Sequence, residues 1–533
     1  MPPRIASLAI AIALGASGAA SAQSSDALPD IGSSAGELIT PREEAIYGAI
    51  TLRQIRQAGV LLEDPLIEGW LNSLGYSLVA ASDRQQKDFT FFAIRSRAIN
   101  AFATFGGYVA VNAGLVLTAE NQDEVAAVLA HEISHVTQRH IIRAAEAAQK
   151  DQLPILLGML AAVVASAGSG NGDGVPAAIA SGTGLMQQRQ INFTRGGEQE
   201  ADRIGIQLLA RAGFKPEAMA EFFGRMAWAT RAGGEGLPEF LRTHPVTTNR
   251  ISEARERAER MGSEMPLIGL DLSDQRAQNP LLPRSLATSA ELADLRPDPA
   301  LFEWARERMR VLSAASPGQA VAEYEARRKA SPGAFSDGER YGEALALMRS
   351  NRASQAVAQM AALTRRFPDN YWAELGLAEA EHLAGMDAQS DARFDALVVR
   401  MPGNEAVLLT YARSLNERGT RASGLRAQEV LRPLLNLGAY DIEFQRSFAR
   451  ASELAGDTLR AAEAYAEATF LSGRAEDALS QLQALQQRDD LDYIQRARVD
   501  ARIAFMMPIA IEMRRQGLTA QRQTQGLAPT SHR

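Results

Sequence analysis

Cysteine is absent from all 533 residues, so no disulfide braces this chain and no thiolate is available to a metal. Such a chain suits an oxidising compartment, because it holds no thiol to mispair. Positive charge is not in excess either. A formal net charge of −7 leaves no electrostatic footprint for nucleic acid, and that partner class is set aside. No apolar run reaches the ~20 residues of a membrane-spanning helix. Histidine is scarce, with six in the chain, so any cluster of it carries weight.

What remains is long enough for two or three domains. Residues 1–22 read as a signal peptide: Arg4 is a weak n-region, Ile5 to Leu14 an apolar core, and Ala20-Ser21-Ala22 a cleavage site. An uncleaved anchor is the lesser alternative, because the run is short for a span. The mature chain is expected to start at Gln23 in the bacterial periplasm, with residues 23–40 as a flexible lead-in. Pro41, Glu43 and Glu44 start a helix, and a second is expected from about Pro65 to Leu78.

The stretch Asn121–His140, NQDEVAAVLAHEISHVTQRH, holds the densest chemistry. Asn121 and Glu124 have the spacing of a capping box. His131 and His135 stand one helical turn apart, along an apolar stripe of Val125, Leu129, Ile133 and Val136. Glu132 falls inside that stripe, where an unpaired carboxylate is expensive. A metal removes the conflict. The two imidazoles would hold one Zn²⁺ per chain, and Glu132 would deprotonate the water that attacks a peptide carbonyl. The bland alternative is an amphipathic helix with incidental histidines.

Upstream, Phe89–Ser96 reads as a strand and Asn100–Leu117 as two short strands around Gly106-Gly107. An edge strand beside a protease site can pair with an extended peptide. Phe105, Gly106, Gly107 and Tyr108 are therefore substrate-binding candidates, with an ordinary core hairpin as the alternative. Downstream, residues 153–184 are apolar and then rich in Gly, Ser and Ala. They are expected to form a buried or lid-like helix, or plug, with a flexible return; peripheral contact with a membrane is a further reading.

Glu198 and Asp202 share a helix face with Ala201, Gly205 and Leu209. Glu198 as third metal ligand and Asp202 as hydrogen-bond partner of a ligating histidine would satisfy both carboxylates. Simple placement near a helix N-terminus is the alternative. His244, followed by Pro245, is a candidate to stabilise an oxyanion or to occupy the open metal position and keep the site latent. Arg250 is a candidate for oxyanion stabilisation or structural pairing.

Residues 265–298 contain four prolines and read as a linker. Residues 299–515 are helical. Ala344, Ala378 and Ala412 recur at 34-residue intervals, as do Ala356, Ser390 and Gly424. This spacing resembles degenerate tetratricopeptide (TPR) repeats, whose concave face suits a client or partner; a generic bundle is the alternative. Residues 516–533 read as a disordered tail. The expected fold is mainly α, with a zincin-type metalloprotease domain over 41–264 that carries a small β-sheet, followed by a TPR-like solenoid.

The order of His131-Glu132-Ile133-Ser134-His135, Glu198–Asp202 and His244-Pro245 resembles the zinc peptidase family of HtpX and the CAAX prenyl proteases. The run His135–His140 and the exported layout most resemble its periplasmic BepA/YfgC branch. The resemblance covers residues 40 to 265, and the second half in architecture only. It implies that Glu198, four residues before Asp202, is the ligand rather than Glu200. It also implies a zinc endopeptidase for misassembled outer-membrane proteins, working beside the β-barrel assembly machinery, with a plug at 153–184 and a histidine switch at His244. This chain lacks the membrane spans of HtpX and the cysteines for the C-terminal disulfide of some relatives. A chaperone or assembly adaptor acting mainly through its repeats, with a latent protease site, is the second reading.

Overall fold

The computed structural model describes residues 39–82, 89–147, 194–232, 239–264 and 296–515, apart from a few single positions in the last stretch. The signal peptide, nearly all of the lead-in and linker, the 153–184 segment and the tail lie outside the described residues. Among the described residues, no helix is long and apolar enough to cross a membrane.

Helix α1 (Pro41–Gln57) starts at a reciprocal cap, in which Thr40 accepts from the Glu43 amide and Glu43 reaches back to Thr40. Helix α2 (Pro65–Ala80) is capped by Asp64. Strands β1 (Thr90–Ile94), β2 (Ala101–Ala103) and β3 (Tyr108–Asn112) form a sheet in the order β1-β3-β2. β1 runs parallel to β3, and β2 antiparallel to it. The ladder ends where Ile94 faces Asn112. Beyond that point no further strand pairing is seen among the described residues, and Ala113–Thr118, expected to continue a strand, coils into α3, with the Gly114 amide donating to the Ser96 carbonyl.

Helix α4 (Gln122–Thr137) is the centre of the first half. It packs on α2, β2 and α7 (Ala218–Ala232), and most of its residues are buried. Asn121 caps it by accepting from the Glu124 amide. Around it stand α5 (140–147), α6 (194–211), α8 (Glu239–Thr243) and α9 (Thr248–Glu264).

The second half is a series of helices, each packed on its neighbour: α10 (Leu301–Leu312), α11 (Pro317–Ala330), α12 (Asp337–Arg349), α13 (Ala353–Arg366), α14 (Tyr371–Leu383), α15 (Asp387–Arg400), α16 (Glu405–Glu417), α17 (Arg421–Leu431), α18 (Ile442–Ala455), α19 (Thr458–Leu471), α20 (Ala475–Gln486) and α21 (Tyr493–Arg515). The small-residue columns sit where these helices cross. Ala344, Ala378, Ala412, Ala356 and Ser390 are fully buried, and a Cβ on Gly424 would lie 2.5 Å from Leu454.

This array closes back on the first half. Arg308 on α10 forms a bidentate, buried ion pair with Asp64, at 2.6 and 2.7 Å, and donates to the Tyr341 hydroxyl. Ile50 on α1 joins an apolar cluster with Phe470, Leu471 and Met506. Gly473, at φ +88°, lets the turn after α19 approach the Arg53 carbonyl, where a Cβ would lie at 2.7 Å.

His382 on α14 sits between Asp387, at 2.8 Å, and Glu417, at 3.2 Å. Glu417 raises its pKa above the ordinary value, with Asp387 adding to the effect against partial burial. The folded state therefore binds this proton more tightly. Its stabilising contribution is complete below the ordinary value of ~6.5 and is lost as pH rises through the raised one. The difference in Tm between wild type and His382→Gln is expected to be largest in mild acid and to disappear at alkaline pH. A pH-independent difference would contradict this.

Candidate metal centre

His131 and His135 project from α4, as their spacing requires. Glu198 enters from α6, and His244 from the turn that ends α8. There the His244 amide donates to the Phe240 carbonyl, and the two rings stack at 4.8 Å. One ligand atom from each of these four residues converges on a common point. His131 Nε2 lies 3.0 Å from His135 Nε2, 3.3 Å from His244 Nδ1 and 3.4 Å from Glu198 Oε2. Glu198 Oε1 lies 3.3 Å from His135 Nε2 and 3.0 Å from His244 Nδ1. A tetrahedral ion with ligands at ~2.0–2.1 Å has ligand–ligand edges of about 3.3–3.4 Å. The donor set fits such an ion.

Electrostatics point the same way. Burial pushes His135 down to about 3. Burial opposes a charge on His131 as well, but hydrogen bonds to Asp202 and Glu198 outweigh it and raise that imidazole to about 10. Against its own burial, Glu198 is held far below the usual carboxylate range by the three imidazoles. A divalent metal among these donors would require His131 Nε2 to be free of a proton and would supply the positive charge in its place.

The residues behind the donors are also fixed. His131 Nδ1 lies 2.9 Å from Asp202 Oδ1. Arg250 holds Asp202 at 2.6 and 2.8 Å, reaches Glu198 Oε2 at 3.0 Å and donates to the Pro245 carbonyl at 2.8 Å. Of its two expected roles, Arg250 thus has the geometry of structural pairing. His135 Nδ1 lies 2.9 Å from His140 Nδ1, and His140 Nε2 lies 3.0 Å from Glu200. Neither His140 nor Glu200 belongs to the motifs that mark the other site residues in the sequence. Helical periodicity carries no signal for them, because His140 reaches the site only through a break in the helix.

Glu132 is 1% exposed. Burial raises its pKa, against the pull of His244, His131 and the Ala103 amide. Its Oε1 is buried without a hydrogen-bond partner and lies 3.6 Å from His244 Nε2. An orphaned carboxylate oxygen beside four metal donors fits a base that needs an external proton donor. A cavity of about 540 Å³, lined by Glu198, Pro245, Thr247 and Arg250, adjoins the centre.

Phe105 to Tyr108 lie in a turn that touches both α1 and α4, and at the start of the middle strand. Phe105, Gly106 and Gly107 form a tight turn on α1, with the Phe105 and Tyr47 rings 6.2 Å apart. Gly106, at φ +71°, passes so close to Glu44 that a Cβ would lie 2.8 Å from its carbonyl oxygen. Tyr108 lies in the middle strand, paired with Thr90. These four residues are therefore not at the sheet edge. Among the described residues, the edge beside α4 is β2, Ala101–Ala103.

A buried glutamate between two ligating histidines on one helix, with a carboxylate donor from a later helix, defines a zincin-type metallopeptidase. Residues 65–258 match Peptidase family M48. The chain is similar to the β-barrel assembly-enhancing protease of Escherichia coli, with 31% identity over 94% of this chain and 95% of that protein. It is 45% identical to the putative β-barrel assembly-enhancing protease of Vibrio cholerae, over 43% of this chain and 47% of that one. A mitochondrial metalloendopeptidase of Saccharomyces cerevisiae is 35% identical over 28% of this chain and 41% of its own. The chain belongs to Peptidase family M48, in the branch of the β-barrel assembly-enhancing proteases, and is a metalloendopeptidase.

Proposed function

We propose that this chain is a periplasmic zinc endopeptidase that removes misfolded or misassembled proteins during outer-membrane β-barrel assembly, and that it rests in a latent state. The convergence of one ligand atom each from His131, His135, Glu198 and His244, all within 4.8 Å of one another, carries this reading. The names of the full-length relatives support the assembly role. His131, His135 and Glu198 would hold the metal, and His244, the fourth donor of the cluster, would compete with an attacking water.

Zinc, when bound, supplies a Lewis acid that polarises the scissile carbonyl and makes water acidic at neutral pH. Glu132 takes the proton of the attacking water and returns it to the leaving amine. Asp202, clamped by Arg250, orients His131. β2 is the edge on which an extended peptide adds as a further strand, beside the Phe105–Tyr108 turn. Residues 1–22 serve as the export signal and 41–264 as the protease domain, whose lid-or-plug candidate, 153–184, lies outside the described residues. Residues 299–515 form TPR-like repeats that select clients or partners.

A chaperone or adaptor role is the second reading, favoured by the closed four-donor centre. His244→Ala separates the two. It is expected to keep its metal and raise cleavage of unfolded casein by about tenfold or more, a transition-state gain of only about 1.4 kcal/mol. Unchanged cleavage would contradict latency through His244.

A further inference from the structure

The turn after α4 is built in an unusual way. Arg139, which is not glycine, stands at φ +53°, a conformation that costs a side-chain-bearing residue about 1–3 kcal/mol and persists only where its surroundings enforce it. Its guanidinium is tied to the Ile39 carbonyl and to Glu44. The reversal folds His140, 6% exposed, back against the ligand helix. Its ring lies 4.8 Å from that of His135, at 78°. Had α4 continued, residue 140 would point about 140° away from residue 135.

The facing nitrogens fix the protons. His135 turns Nε2 toward the other donors, so its Nδ1 carries the hydrogen. That hydrogen points at His140 Nδ1, 2.9 Å away, which must accept it. The proton of His140 is therefore on Nε2 and is donated to Glu200 Oε2 at 3.0 Å. Arg143 holds the same oxygen at 2.9 Å. His131 leans on a carboxylate, whereas His135 leans on a neutral ring polarised by one.

We propose that His140, held by Glu200, is a positioning residue that fixes the tautomer and orientation of His135 and thereby sets the metal affinity of the centre. This rests on the metal reading above. The test is zinc affinity of the metal-depleted mature protein, by chelator competition, with the zinc-induced shift in Tm measured alongside. Wild type, His140→Ala, His140→Gln and Glu200→Gln are compared.

His140→Ala is expected to weaken zinc binding by about 10- to 100-fold. His140→Gln, whose carbonyl can accept from His135, should recover much of that loss. Glu200→Gln should weaken binding by about threefold or more. Wild-type affinity, within about twofold, in both His140→Ala and Glu200→Gln would overturn the proposal. If His140→Ala fails to fold, the nearly isosteric Glu200→Gln decides alone. A wild type that takes up no zinc would remove the metal reading itself, and this inference with it; tight binding by every variant removes only the inference.

Discussion

Replacing Glu132 with glutamine is expected to lower casein cleavage by about 10²–10⁴-fold, the usual contribution of a positioned general acid–base, with fold and metal content intact. Glutamine has the same shape and fits the same 1%-exposed space. It removes a buried carboxylate whose Oε1 has no protein partner, so stability should hold or rise slightly. What it cannot do is take a proton from water. The measurement is cleavage rate, zinc content and Tm of the variant beside wild type. Normal proteolysis by Glu132→Gln would remove Glu132 from the mechanism.

The second large effect lies far from the metal. Asp64→Ala is expected to destabilise the protein by about 3–5 kcal/mol, because removing one partner leaves the other charge buried and unpaired. Arg308 would keep only the Tyr341 hydroxyl of its present contacts. The cap on α2, in which Asp64 accepts from the Ile67 amide, would go too. Arg308→Met should be costly for the same reason. The double variant should lose less than the sum of the singles, since neither charge is then stranded. Urea denaturation measures this, and an Asp64→Ala cost below about 1 kcal/mol would show that the pair does not join the two halves.

The parts of the centre legible in the sequence are those encoded within one helical turn. His131, Glu132 and His135 share α4, and Glu198 and Asp202 share α6; a 3.6-residue period fixes which of them face together. The small-residue columns of the second half were legible for a similar reason, since helix crossings recur at a constant interval. His140 was not, because its position depends on the positive φ of Arg139, which no residue type there announces. β2 and β3 pair as neighbours, and β1 occupies the far side of β3; that non-local choice puts Tyr108 in the middle strand and leaves β2 at the edge among the described residues. The Asp64–Arg308 pair spans 244 residues of sequence, so only the folded chain shows it.

The proposed zinc endopeptidase is kept closed by its own histidine. Zinc content and unfolded-casein cleavage, measured in the same samples of wild type, Glu132→Gln and His244→Ala, test it most directly. One zinc per chain is expected in all three, with cleavage fastest in His244→Ala, slower in wild type and lost in Glu132→Gln. Full zinc with no cleavage in any of them would contradict a peptidase, and would leave the chain as a binding protein with a metal-stabilised core.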